Sequence, residues 1–191
     1  GGGYGMVMAP QPVIDCYRAA TENISGKTLT LYMSPAGEQF KHSTAVSFKE
    51  YDNIIIICGH YEGIDQRIID SVVDKEISVG DYILTGGELA CAIVIDAVSR
   101  LIDGVLPDSE CYTNESIASG LLEYPQYTKP AVFNGLEVPE VLRGGNHNDI
   151  CKWQRQQALK KTYEMRPELL NDANLDKNDI IYLEKLISRS E

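Results

Sequence analysis

The sequence predicts an α/β fold, a mostly parallel sheet with helices on both faces. Three observations carry this. Strand-length apolar runs alternate with helical patterns. One of these runs, Asn53 to Cys58, holds four consecutive isoleucines, as in a strand buried on both faces. Glycine-rich turns close each predicted strand.

Thr28 to Met33 (Thr28-Leu29-Thr30-Leu31-Tyr32-Met33) reads as the first strand, stopped by Ser34-Pro35-Ala36-Gly37. The isoleucine run ends at Gly59. Ile64 to Val73 then places Ile64, Ile68, Ile69 and Val72 at helical spacing. Glu76 to Val79 is a third strand, closed by Gly80-Asp81. After Gly86-Gly87, Glu88 to Ile102 is a helix with Cys91, Val94, Ile95, Val98 and Ile102 on one face and Asp96 and Arg100 on the other. In parallel sheets, ligands bind in the loops beyond the carboxyl ends of strands. Ser34 to Gly37, Gly59 to Gly63 and Gly80 to Gly87 are three such loops, and their glycines let backbone approach a ligand closely.

Residues 103–124 carry few large apolar side chains before Leu121-Leu122 and read as a linker or loop. After Pro125 the pattern is helical. Asn146 can cap a helix with Asp149 at N3, turning Ile150 and Trp153 inward. Pro167 suits the first turn of a short helix. Asp176 can cap a last helix, with Ile180, Leu183 and Ile187 on one face.

Composition narrows the class. The 191 residues are 43% hydrophobic and 24% charged, the profile of a folded protein. No apolar run approaches the ~20 residues of a bilayer span, and the chain opens without a signal-peptide pattern. Five cysteines lie no closer than 20 positions apart, with no C-x-x-C or H-E-x-x-H, so neither structural zinc nor a disulfide framework is expected. The net charge of −11 argues against a simple basic nucleic-acid binder. Residues 151–166 nevertheless hold five basic side chains (Lys152, Arg155, Lys160, Lys161, Arg166) against Glu164 alone. Such a stripe meets a phosphate backbone or is a solvated helix face; charge by itself does not decide. Neither G-x-G-x-x-G nor G-x-x-x-x-G-K-[ST] is present, which disfavours a dinucleotide or a nucleoside triphosphate. Cys58 and His60, two positions apart near a strand end, do not by themselves make a nucleophile and its base.

The loop sequences taken together are far more specific than any one glycine pair. They are Tyr32-Met33-Ser34-Pro35-Ala36-Gly37, Cys58-Gly59-His60-Tyr61-Glu62-Gly63-Ile64-Asp65, and Ser78-Val79-Gly80-Asp81-Tyr82-Ile83-Leu84-Thr85-Gly86-Gly87-Glu88-Leu89. Further along come Gly120-Leu121-Leu122-Glu123-Tyr124-Pro125-Gln126-Tyr127-Thr128-Lys129-Pro130, Gly145-Asn146-His147, and Arg166-Pro167-Glu168-Leu169-Leu170. In order and spacing, over essentially the whole chain, these resemble the bacterial tRNA (guanine-N1)-methyltransferases of the SPOUT superfamily.

The resemblance implies a deep trefoil knot where the second and third loops thread through one another, a topology that periodicity cannot reveal. It implies S-adenosylmethionine held in a bent shape by Tyr32, Met33, Pro35, Gly59, Tyr61, Glu62, Ser78, Val79, Gly80, Asp81, Tyr82, Ile83 and Leu84, with Gly86 and Gly87 beneath. The target is the guanine at position 37 of tRNA, 3′ of the anticodon. Its N1 carries a proton, so the reaction needs a base and a cation to stabilise charge on O6. The family's arginine maps onto Arg100. Its aspartate maps onto Glu115, a departure that lengthens the side chain by one methylene, and ~1 Å of misplacement can cost ~10²-fold in rate. Ala90 stands where the family often has proline.

The implied organisation is a cofactor domain (1–105), a linker (106–124) and a small all-α tRNA-binding domain (125–191). Lys129, Lys152, Arg155, Lys160 and Lys161 are the expected contacts to an anticodon stem-loop. The family works as a homodimer, with Leu89 to Ile102 and the first helix as expected dimer surfaces. Its members carry roughly fifty further residues ahead of Gly1-Gly2-Gly3-Tyr4-Gly5-Met6, within ordinary domain variation. A cytoplasmic location is expected, with no membrane, DNA or protein-bound metal; a magnesium requirement is not legible. The competing readings are a cofactor- or tRNA-binding module without catalysis, and a SPOUT enzyme acting on another RNA.

Overall fold

The computed structural model describes residues 5–107 and 116–188. The chain divides into two compact units, residues 1–109 and 110–191. In the first, the order is α1 (Pro10–Thr21), β1 (Thr28–Gln39), α2 (His42–Phe48), β2 (Asn53–Cys58), α3 (Gln66–Val72), β3 (Lys75–Ser78) and α4 (Glu88–Ser99). The strands form one sheet in the order β2-β1-β3, with both pairings parallel.

β1 is the central strand, and Leu29 through Met33 are buried one after another, as a strand covered on both faces requires. Alternation assigns the faces. Tyr17 on α1 places its hydroxyl 3.3 Å from Thr30 Oγ1, and Tyr32 packs with Ile64 and Ile68 among Val13, Ile14 and Ile57. On β2, Ile54 and Ile56 turn the other way and line a groove with α4. Helices therefore flank the sheet on both sides. β2 itself is an edge strand, and all six of its residues are only half-buried, where the isoleucine run had predicted burial on both faces.

β1 does not stop at Ser34-Gly37. Its pairing with β3 moves from Met33 opposite Ile77 to Glu38 opposite Ile77, so residues 34–37 loop out and the strand resumes to Gln39. Pro35 has no N–H to give a ladder, and Ser34 Oγ accepts from the Ala36 amide at 3.2 Å, which folds the excursion on itself. α3 starts at Gln66 rather than Ile64, because Asp65 caps it by accepting from the Arg67 amide at 2.9 Å. α4 ends at Ser99. Beyond it, Leu101 and Ile102 donate three residues back to Val98 and Ser99, the tightened last turn common at helix ends.

The second unit contains a hairpin, β4 (Val132–Phe133) and β5 (Leu136–Glu137), then α5 (Glu140–Arg143), α6 (His147–Met165), a 3-10 helix (Pro167–Asn171) and α7 (Lys177–Ile187). The unit is thus mainly helical, not all-α. The turn residues Asn134 and Gly135 sit at φ 52° and 80°, the positive pair that a two-residue hairpin turn demands. Leu121, Ala158, Leu159 and Leu183 form its core, so Leu121 of the expected linker segment belongs here. The Leu122 amide donates to Thr162 Oγ1 at 2.9 Å. Asn146 caps α6 and Asp176 caps α7 through a capping box with Asp179. Asp179 and Leu183 are the buried residues of α7, while Ile180 and Ile187 are 47% and 43% exposed, so the predicted apolar face is rotated by about one position.

Among the described residues, no helix is long and apolar enough to cross a membrane.

Candidate functional site

A cavity of about 370 Å³ opens at the carboxyl ends of the three parallel strands and the first turn of α4. Its walls are Tyr32 to Ala36 after β1, Gly59 to Gly63 after β2, Ile77 to Gly80 and Tyr82 to Gly87 around β3, and Ala90 on α4. That size is typical of small-molecule sites.

The second and third loops are joined directly. The Gly87 amide donates to the Gly59 carbonyl at 3.1 Å, and His60 pairs with Gly86 as an isolated antiparallel bridge. Gly87 is required by proximity: a Cβ there would lie 2.9 Å from Cys58 Cα and 3.2 Å from Met33 Cβ. His60 Nε2 also contacts Glu88 Oε1. Glu88 opens α4, and its carboxyl is held below the usual range first by a hydrogen bond from its own amide, then by His60. The second loop is braced from outside, since the Glu62 amide donates to Met6 O at 3.1 Å and the Met8 amide to Gly63 O at 2.9 Å. The third loop folds on itself, with Gly80 N–H donating to Ser78 Oγ at 3.3 Å and the Tyr82 hydroxyl to Val79 O at 3.3 Å.

At the floor, Tyr32 is 7% exposed. Burial pushes its phenol up, a hydrogen bond from the Ile64 backbone works against this, and Glu76 adds to the rise. At the rim, Tyr61, Tyr82 and Ile83 stand largely in solvent, an apolar edge available to a ligand. Burial, with Cys91 and Glu88 nearby, pushes the Cys58 thiol up to about 12, so it is protonated at neutral pH and no nucleophile.

Of the residues expected at a cofactor, Tyr32, Met33, Pro35, Gly59, Tyr61, Glu62, Ser78, Val79, Gly80, Tyr82, Ile83, Leu84, Gly86 and Gly87 line this cavity. Asp81 is exposed and is not part of its wall. Arg100 is the C-cap of α4, whereas the cavity meets that helix at its other end. At 1.5 Å per residue, the stretch from Ala90 to Arg100 puts about 15 Å of helix between them. Glu115 lies outside the described residues. His60 and Glu88 are not among the residues expected at the cofactor, although both lie inside the loop segments Cys58 to Asp65 and Ser78 to Leu89.

In the second unit, Lys129 is exposed after Thr128, and Lys152 and Lys161 are exposed on α6. Lys160 lies 3.9 Å from Glu164. Arg155 is committed to structure: its Nη2 donates to Asp179 Oδ2 at 2.7 Å and to Asn174 O at 2.9 Å. Burial raises the Asp179 carboxyl, but hydrogen bonds from Arg155 and the Asp176 amide outweigh it and hold the group below its ordinary value. Among the described residues, no three His, Cys, Asp or Glu side chains gather as a metal site.

The cavity combines glycine-rich backbone, apolar rim side chains and the acidic Glu62. Such a wall suits a ligand with a nucleoside-like flat part and a cationic part. Sequence comparison agrees in class. Residues 1–172 match the family model described as tRNA (Guanine-1)-methyltransferase TrmD. A tRNA (guanine-N(1)-)-methyltransferase of Alkaliphilus metalliredigens is 50% identical over 193 residues, covering 100% of this chain and 78% of that protein. Those of Ruminiclostridium cellulolyticum and Clostridium acetobutylicum are 53% and 46% identical, covering 90% and 100% of this chain and 73% and 76% of their own lengths. The chain belongs to the tRNA (guanine-1)-methyltransferase family.

Proposed function

We propose that this enzyme methylates N1 of the guanine at position 37 of tRNA, directly 3′ of the anticodon, with S-adenosylmethionine as methyl donor. Family membership gives tRNA guanine-N1 methylation and the donor that follows from it. The single observation that supports placing the donor is the three-loop cavity at the strand ends. The donor, when bound, supplies an electrophilic methyl group. Tyr32, Met33, Pro35, Gly59, Tyr61, Glu62, Ser78 to Gly80, Tyr82 to Leu84, Gly86 and Gly87 hold it, and Asp81 acts from the same loop without lining the wall. The contact between second and third loops is read as the crossing of a deep trefoil knot.

Guanine N1 becomes nucleophilic only when its proton leaves. Glu115 takes that proton and Arg100 stabilises the charge that develops on O6. Arg100 is far along α4 from its own chain's cavity, which favours a site shared between two copies. The open groove of Ile54, Ile56, Cys91, Val94, Ile95 and Ile102, with Leu89 68% exposed beside it, supports the same homodimer. The second unit carries the anticodon stem-loop on Lys129, Lys152, Lys160 and Lys161, with Arg155 shaping the helix that presents the last three. The enzyme works in the cytoplasm, where its tRNA is.

The test is transfer of tritiated methyl from S-adenosylmethionine to a tRNA transcript carrying guanine beside the anticodon, against a transcript with that guanine replaced. Label in the first alone is expected. Equal label in both places the methylated base elsewhere.

A further inference from the structure

We propose that the second unit holds a subsite for one unpaired nucleotide of the tRNA, its base stacking on Tyr127 against Trp153 and its phosphate meeting Lys129. This rests on the tRNA methyltransferase reading and extends it to a place outside the cofactor cavity.

The subsite is a concavity of about 550 Å³ whose wall includes Tyr124, Tyr127, Lys129, Arg143, Trp153 and Gln154. A flat base needs an aromatic surface that is reachable and fixed. Tyr127 is 48% exposed, and Trp153 stands half-buried on α6 in the same wall. Their ring centroids are 6.3 Å apart and the planes diverge by 53°, so the pair forms an open wedge and not a closed stack. A ring left half in water by a folded unit gains most from a partner that covers its face, and every nucleobase offers one.

The surrounding charge selects a nucleotide over an apolar peptide. Lys129 is exposed two residues from Tyr127, and Lys152 is exposed beside Trp153. Arg143 is partly countered by Glu137 at 3.4 Å, which leaves Lys129 as the cation of this wall open to a phosphate among the described residues. Gln154 places an amide in the same wall, able to donate to and accept from a base edge. Aromatic faces, cations and an amide in one hollow are the means by which unpaired RNA is recognised.

Trp153 is the chain's only tryptophan, so its emission reports on this site alone. Tyr127→Ala, Tyr127→Phe and Lys129→Gln are compared with the starting chain, full length, with thermal midpoints recorded for each. The tRNA transcript is titrated while tryptophan emission and filter retention are followed, and S-adenosylmethionine affinity is measured by calorimetry. The expected result is saturable quenching by tRNA and a tRNA Kd raised about tenfold in Tyr127→Ala, in the range that one stacked base contributes. Tyr127→Phe, which keeps the ring, binds as the starting chain does. Lys129→Gln flattens the salt dependence by about one phosphate contact. Cofactor affinity is the same throughout. Unchanged tRNA affinity in both Tyr127→Ala and Lys129→Gln overturns the subsite while leaving tRNA methylation intact. A starting chain that never methylates tRNA overturns the functional reading instead, whatever Tyr127 does.

Discussion

The Gly87 amide donates to the Gly59 carbonyl at 3.1 Å, fastening the start of α4 to the end of β2. This bond closes the cavity floor, because it holds the third loop against the second. Gly87→Ala forces a Cβ against Cys58 Cα and Met33 Cβ, and backbone has little room to yield. The variant is expected to lose about 1–3 kcal/mol of stability by overpacking. It should also lose most of its S-adenosylmethionine affinity, read by calorimetry beside a thermal melt.

Tyr32 lies close under Gly59, its hydroxyl 2.9 Å from where a Cβ would stand. Tyr32→Phe keeps the buried ring and removes only the hydroxyl contacted by the Ile64 backbone. It should lower stability by about 1 kcal/mol, the loss of one internal hydrogen bond, read by a thermal melt. Tyr32→Ala should cost about 3–5 kcal/mol of stability through the cavity it leaves.

Asp65 caps α3 and pairs with Arg67 Nε at 2.8 Å. The Arg67 side chain and amide lower its carboxyl from 3.8 to about 2. A depressed carboxyl stabilises the fold above its unfolded value, and that contribution is lost as pH falls from about 4 towards about 2. Asp65→Asn keeps a good cap without the charge. Urea melts across that window should show a shallower decline for the variant than for the starting chain.

Arg155 and Asp179 answer a question that charge counting left open. The five basic residues of 151–166 looked equivalent in sequence, yet one of them is tied to a buried carboxylate. Arg155→Ala should destabilise the second unit by about 3 kcal/mol, since Asp179 is left buried and unpaired. Lys152→Ala and Lys161→Ala should leave the melt unchanged and each flatten the salt dependence of tRNA binding by about one contact.

What the sequence made legible follows from how local the cause is. The alternation of β1, β2 and β3 with helices reads directly, because apolar runs and glycine turns are short-range signals. α1 carries little local signal: it has no buried residue and Ala9 gives it no side-chain cap. α2 is only seven residues long. The β4–β5 hairpin has a local signal in Asn134-Gly135, set within a stretch whose surrounding pattern is helical. The excursion at residues 34–37 depends on which residue of β3 pairs with Glu38, a long-range register that no local pattern encodes. The cavity walls were legible through resemblance. The His60–Glu88 contact and the distance of Arg100 from the cavity needed coordinates, because both depend on where α4 points once Gly87 has fixed its start.

The central claim is that the three-loop cavity is where the methyl donor binds. Photo-crosslinking of radiolabelled S-adenosylmethionine to the chain, followed by peptide mapping, tests it most directly. Label is expected on peptides covering residues 59–63 and 77–87, displaced by excess unlabelled cofactor. Displaceable label confined to peptides of the second unit would contradict it.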